Sequence, residues 1–381
     1  MTTPFRALFC DLRTDDIIDS FPLDHVRFDD RIGGGGTLTG RFALPDTAAA
    51  GRAEAVVPAR TAVWVQRGGD IWWGGVVWRT SRHGGPAGDA LEIVAATWDS
   101  YLDHRILYAG KESDTAIDQL VLARELVEQA QAQPNGHIGI TTSDTVMSGV
   151  QRRAYHADFD LVHIGEALRQ LADRRDGFEW HIASTREPVT GYRGKRLDLG
   201  YPVLASELPD LVLDGPGAVL GYAYTHDGTR KATMWRSRGA RTGGAGHAMS
   251  HVWEITDVLH PADADLTWPR LDGTSELPDN GRREALDAEA QDALRAAWHA
   301  PASFDATVRL DARTAPSLLG RHVRLRLDER WHDGGLDRRL RVVGVAVGTP
   351  APGAPETVRL TLGAAARTPV AAPVPTPVSS R

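Results

Sequence analysis

The sequence predicts a mainly β protein with α+β insertions, in which two β-barrel or sandwich modules flank mixed inserted domains. Three observations carry this fold class. Strand-like runs dominate both ends of the 381-residue chain, helical periodicity takes over between them, and the opening strand pattern recurs near the finish. The first copy reads TAVWVQRGGDIWWGGVVWRT, a Gly-rich turn, then DALEIVAATW to Trp98. The second reads GRHVRLRLDERWHDGGLDRRLRVVGVAVG, a Pro/Gly turn, then PETVRLTLG to Gly363. The step from Gly75 to Leu91 is 16 residues and that from Gly344 to Val358 is 14, a similar spacing in the two copies.

Taken in order, residues 1–105 form the first β module. Alternation is visible around Trp64 and Glu92, and Gly68-Gly69-Asp70 separates two apolar runs at hairpin distance, where glycine supplies positive φ. The glycines of GGGGTLTGRFALPD feed Leu38, Phe42 and Leu44 with no following lysine. They predict a flexible β connection rather than a phosphate loop.

Residues 106–235 form an inserted α/β domain. TAIDQLVLARELVEQAQAQ places Ile117, Leu120, Val121, Ala123, Leu126 and Val127 mostly along one helical stripe. Thr115 is the expected cap, Asp118 lies near the amide end, and Pro134-Asn135-Gly136 is the stop. A second helix is expected from a cap at Asp160 through Ile164, Leu168 and Leu171 to Gly177, after which Phe178, Trp180 and Ile182 alternate as a strand. Strands continue through KRLDLG and LVLDGPGAVLGYAYTH.

Residues 236–300 are a loop and helical linker region: 236–251 is poor in apolar residues and is expected to be a mobile loop, and 281–298 a helix. Residues 301–365 complete the second β module, and the Pro-rich 366–381 is expected to be a disordered tail.

Composition narrows the function. Hydrophobic residues make up 42% and charged residues 24%, ordinary for a soluble globular chain. With 43 basic and 50 acidic residues the net charge is −7, so no global basic surface grips nucleic acid. The single Cys10 excludes an intramolecular disulfide and any multi-cysteine metal site, and its apolar run FRALFC reads as core. No apolar run reaches membrane-helix length, and no secretory signal is expected.

No catalytic constellation emerges, so the chain is expected not to be an enzyme and to carry no cofactor or metal. His247 and His251 are four apart but sit in a Gly-rich stretch, and His156 and His163 lack a third ligand. The carboxylates Asp15, Asp16, Asp19, Asp29, Asp30, Glu125 and Glu128 could suggest a glycosidase pair, but read as turns and helix surface. Trp64, Trp72, Trp73 and Trp78 crowd the first module. Exposed indoles could stack on sugars, whereas Trp72 and Trp73, being adjacent, point to opposite faces, which places at least one in the core. Core or interface is the favoured reading, and a carbohydrate-binding β protein is the alternative.

The segments LTGRFALPD, AVWVQRGGDIWWGGVVWRT, ALEIVAATWDSYLDHRIL, LVHIGEALRQLADRRDGFEWHI, RLRVVGVAVG and ETVRLTLG together resemble actinobacterial siphovirus minor tail proteins of the ReqiPepy6 Gp37-like type, which are baseplate or tail-tip hub proteins. The resemblance runs from about residue 5 to 363 and carries no invariant reactive residue.

It implies tail-tube-like β modules and a virion tail-tip location. It further implies a homotrimeric ring that joins a hexameric tail tube or distal tail protein to a fibre or spike and frames the exit channel for tape-measure protein and DNA. Three chains with two modules each would supply six near-equivalent positions. A phage-derived injection device could use the same fold. A negative lumen would let DNA pass without binding. Expected ring or interface residues are Trp64, Trp72, Trp73, Trp78, Val345 and Leu360, with host cell-wall glycan a further possible partner under the alternative reading.

Overall fold

Strands dominate the opening segment of the computed structural model, which describes residues 4–365 except 87, 109–110, 113–115, 143–144, 153–154, 157–160, 175, 188, 243–245, 259–267, 278–280, 299–302, 311–315, 317 and 350–353. The chain divides into two compact units, Met1–Tyr222 with Asp305–Arg381, and Ala223–Phe304.

The first unit opens with β1 (Arg6–Asp11), β2 (Ile17–Pro22), β3 (Asp24–Arg31), β4 (Thr37–Leu44), helix α1 (Thr47–Ala53), β5 (Thr61–Arg67), β6 (Asp70–His83) and β7 (Asp89–Thr97). In β4 Leu38, Gly40 and Phe42 are buried and the residues between them exposed. Gly33, Gly34 and Gly35 all have positive φ, which turns β3 into β4 as the sequence led one to expect. Gly68 at φ 61° likewise makes the tight β5–β6 turn.

The insertion that follows contains β8 (Lys111–Glu112), β9 (Ile117–Asp118), α2 (Gln119–Ala132), β10 (Ile140–Thr141), β11 (Gln151–Arg152), β12 (Tyr155–His156), α3 (Ile164–Ala172), β13 (Glu179–Arg186) and β14 (Arg193–Gly200). Asp118, not Thr115, caps α2 by accepting from the Leu120 N–H at 2.9 Å, so Ile117, expected on the helical stripe, lies ahead of the helix in β9, paired with β11. Thr115 and Asp160 lie outside the described residues, and the residue before α3 is His163, which makes no side-chain cap bond. The apolar faces of α2 and α3 pack with β13 and β14 against Trp64, Val76 and Trp98, forming one core with the first strands.

Next come β15 (Leu211–Gly215) and β16 (Val219–Thr225). The second unit then holds β17 (Met234–Arg241), β18 (His247–Met249), β19 (Trp253–Glu254), α4 (Ile255–Val258), β20 (Asp272–Glu276) and α5 (Arg283–Trp298). Residues 236–251, expected as a loop, thus carry β17 and β18. Their ladder is fixed by serines instead of apolar alternation: Ser250 Oγ accepts from the Ser237 N–H, and the Ser237 and Ser275 hydroxyls bond at 2.7 Å. Below them Lys231 Nζ sits 4.2 Å from the ring centres of both Trp268 and Trp298.

The chain finishes with β21 (Ser303–Arg309), β22 (His322–Leu327), β23 (Leu336–Gly348) and β24 (Thr357–Ala364). The expected tail, 366–381, lies outside the described residues.

Thirteen strands of the terminal segments form one sheet. Its first half runs β3-β4-β7-β6-β5-β1-β2 and its second half β16-β21-β24-β23-β22-β15. The halves share a strand order. In each, a three-strand meander (β5-β6-β7 or β22-β23-β24) is extended by β4 then β3, or by β21 then β16. β1 pairs antiparallel with β5, whereas β15 pairs parallel with β22. β15 therefore has the direction of β2, and like β2 it leads directly into the next edge strand, so β1 is the strand without a counterpart.

Only Leu23 separates β2 from β3, yet they stand at opposite ends of the first half. Seven flat strands would hold them roughly 29 Å apart, against about 7 Å for that link. The half-sheet therefore curls until Pro22 and Asp24 come within that reach, as the second half curls to bring Gly215 and Val219 within the reach of Pro216-Gly217-Ala218. The expectation of barrels is corrected to this extent: among the described residues no ladder closes either half.

The register also corrects the matched glycines. Both meanders are bulged on the central strand, with Trp78 the extra residue in β6 and Val343 in β23. Gly75 pairs with Thr97 before its bulge, and Gly344 with Thr361 after its own, so Gly344 corresponds to Arg79.

Candidate functional site

The two half-sheets are joined by β3 and β23, which pair antiparallel from Arg31↔Gly344 to Arg27↔Gly348. Ile32 N–H donates to Val343 O at 3.0 Å at the head of this ladder, and Thr349 N–H donates to Val26 O at 2.9 Å at its foot. The long β23 makes this possible. Its first residues pair with β22 as far as Arg341, and the same edge is then taken over by β3.

Side chains from the insertion lock the joint. Gly33 N–H donates to Trp180 O at 2.8 Å, and His181 Nε2 lies 3.0 Å from both carboxylate oxygens of Asp30. Asp99 accepts from the Gly35 N–H at 2.9 Å. A Cβ on Gly34 would stand 2.6 Å from Asp99 Oδ2 and 2.8 Å from Trp180 Cη2, so only glycine fits between them at φ 83°. Trp73 Nε1 donates to Asp29 O on β3 at 2.9 Å. On β23 the buried Arg341 donates to Glu179 at 2.7 Å and to Leu204 O at 2.8 Å. Arg67 on β5 reaches Glu356 ahead of β24 at 2.5 Å, its guanidinium 5.0 Å from the Phe5 ring centre.

Electrostatics follow burial. Burial pushes the Asp99 carboxyl upward, only partly offset by the Thr97 hydroxyl and Gly35 N–H. Burial alone would lower the His181 pKa, but the charge and hydrogen bond of Asp30 outweigh it and leave it raised above the ordinary 6.5. Burial lowers Lys195 to about 8, against the opposing pull of Asp15, while its Nζ donates to Ile138 O and stands 4.7 Å from the Trp98 ring centre. Burial pushes the Cys10 thiol up to about 12, the state of an inert core residue.

The raised His181 value fixes a sign. The folded chain favours the protonated imidazole, so its stabilisation is full below about 6.5 and is lost as pH rises through the folded value. His181→Gln is expected to lower the thermal unfolding midpoint at pH 6 and to lower it less at pH 9. Melting both proteins across that range checks this, and a gap independent of pH would reject the charged pair.

The residues expected at an interface are dispersed. Trp64, Trp73 and Leu360 are buried within the chain. Trp72 is half-buried with its ring edge on Phe5, and Trp78 is half-buried, stacked on His104 and bonded to Ser100. Val345 is half-buried on β23 in the joint itself, opposite Asp30.

The carboxylates weighed for catalysis have structural partners. Asp15 accepts from Trp64 Nε1 and pairs with Arg193, Asp30 holds His181, and Asp19 pairs with Arg52. His251 bonds Asp287, and His247 lies 3.0 Å from Gly239 O. Among the described residues no group of three His, Cys, Asp or Glu could hold a metal ion. No described helix is long and apolar enough to cross a membrane. The arrangement can hold two half-sheets rigidly edge to edge. Sequence reasoning missed this joint because β3 and β23 stand more than 300 residues apart.

No family model matches the chain, and no curated protein matches it. Solved structures do. A tail protein from Neisseria meningitidis MC58 is similar with a TM-score of 0.58 at 11% identity, over 95% of this chain and 96% of that one. The 43 kDa tail protein of prophage MuSo2 from Shewanella oneidensis gives 0.54 at 10% identity, over 94% and 98%. Prophage tail protein gp18 from Listeria monocytogenes EGD-e gives 0.50 at 10% identity, over 94% of each chain. With nearly full coverage in both directions, the chain has the fold of these tail proteins.

Proposed function

We propose that this chain is a structural hub protein at the tip of a siphovirus-type tail, acting by assembly and not by catalysis. Three copies form a ring that joins a hexameric tail tube or distal tail protein to the fibre or spike and frames the channel for tape-measure protein and DNA. One observation carries the reading: two half-sheets of the same strand order lie edge to edge in a single chain. Two near-equivalent modules per protomer let a threefold assembly present six similar positions, a device for meeting a sixfold tube. The fold shared with tail proteins from two prophages supports the setting.

The tryptophans that suggested the sugar-binding alternative do not form an exposed row. Of Trp64, Trp72, Trp73 and Trp78, the first and third are buried, and the other two pack on Phe5 and His104. Native mass spectrometry with negative-stain imaging of the purified full chain tests the proposal. A trimeric ring with six similar lobes is expected, and a monomer at every accessible concentration would overturn it.

A further inference from the structure

We propose that copies of this chain join head to tail by strand pairing, with β16 of one copy laid antiparallel along Arg79–His83 of β6 in the next. The proposal rests on the ring reading and names its joint. It follows from comparing what occupies equivalent edges in the two half-sheets.

The ladders fix the equivalence. Ala62↔Val76 in β5–β6 corresponds to His322↔Arg341 in β22–β23, and the bulged residues Trp78 and Val343 correspond one position pair further on. The incoming connectors agree, since Ala59 N–H donates to Val77 O at 2.7 Å and Gly320 N–H to Val342 O at 2.9 Å. Arg79–His83 therefore matches Gly344–Gly348.

Beyond this point the halves differ. Gly344–Gly348 carries β24 on one side and β3 on the other. Arg79–His83 carries β7 on one side, and among the described residues no strand pairs with its other edge. Arg79, Arg82 and His83 are exposed there.

The missing partner has a counterpart as well. β3 is the strand beyond β4, and β16 is the strand beyond β21. Among the described residues β16 pairs only with β21, so its outer edge is open where that of β3 is filled. Its alternate residues Leu220, Tyr222 and Tyr224 are 44%, 39% and 38% exposed, an apolar and aromatic row on an edge strand. Such an edge is an aggregation hazard in a lone chain and is neutralised when paired. The exposed Arg79 on β6 suits it, because guanidinium groups pack on tyrosine faces, while Arg82 pairs with Glu54 and His83 with Glu92.

One end of each half-sheet thus meets the other kind of end on the next, which is a head-to-tail contact. Such contacts close into rings when the rotation between copies permits.

Backbone direction supplies the test. Val343 O accepts from Ile32, so in this antiparallel ladder the N–H groups of Val345 and Val347 face β3. By equivalence those of Thr80 and Arg82 face outward. Thr80→Pro removes an outward donor while sparing the β7 ladder. The full-length variant is expected to keep its circular dichroism and lose the assembled species.

In parallel, Thr80→Cys is combined with Gly221→Cys, Tyr222→Cys or Ala223→Cys, one at a time, with Cys10 buried out of reach. Under mild oxidation at least one combination is expected to give covalent trimers on a denaturing gel, while each single variant gives none. A wild-type ring that survives Thr80→Pro and yields no cross-link in any combination overturns the joint and leaves the ring standing. A wild-type protein that never assembles overturns both.

Discussion

Trp73→Ala is expected to destabilise the first unit by about 4 kcal/mol, the scale for emptying a buried indole site. Trp73 is 1% exposed, and its ring covers Gly75, where a Cβ would lie 2.5 Å from the ring. Two losses add. The indole leaves a cavity that neighbouring strands cannot fill, because β6 is fixed on both sides by β5 and β7. Asp29 O also loses the 2.9 Å bond from Nε1, on the strand that pairs with β23. Trp73→Phe retains most of the ring and gives up that bond, so a smaller loss of about 1–2 kcal/mol is expected. Thermal or urea unfolding of the three proteins measures the series. A cost below about 1 kcal/mol for the alanine variant would show that the indole is not the wedge described.

Local signals made much of the fold legible. Gly68-Gly69 announced the hairpin, the stripe from Leu120 to Val127 announced α2, and Phe178, Trp180 and Ile182 announced the strand after α3, all three being buried. Each depends on periodicity or turn chemistry within a dozen residues. The sheet of the second unit escaped because polar bonds hold it. Ser237 on β17 bonds both Ser250, just after β18, and Ser275 on β20, and that pattern looks like a polar loop in one dimension.

The candidate site was legible only as a repetition. A bulge shifts register by one residue and leaves no trace in composition, so Gly75 and Gly344 looked equivalent when Arg79 and Gly344 are. The joint itself, and its lock between His181 and Asp30, unite residues 151 or more apart with no local pattern to report them. The one sequence signal available was negative: Asp29-Asp30 falls within a strand where alternation alone would put at most one carboxylate outward, so one needs a partner inside.

Arginine on β22 and β23 shows how burial separates otherwise similar residues, and it yields the second large effect. Arg324 forms a two-pronged pair with Asp337, but both are about half exposed and screened by solvent, so Arg324→Ala is expected to leave the unfolding midpoint nearly unchanged. Arg341 is 3% exposed. It donates to Glu179 and Leu204 O, while Glu179 also accepts from the Leu204 N–H at 2.9 Å. Arg341→Met is expected to cost about 3–5 kcal/mol, because it strands a largely buried carboxylate and leaves a carbonyl unpaired.

Glu179→Gln in that background removes the stranded charge and keeps an acceptor for Leu204, so the double variant is expected to regain a substantial part of the loss. Additive losses in this cycle would mean that the two side chains act independently. Recovery would mean that the pair serves as a geometric lock: β13 of the insertion is held to β23 at the point where that strand leaves β22 and turns its edge to β3.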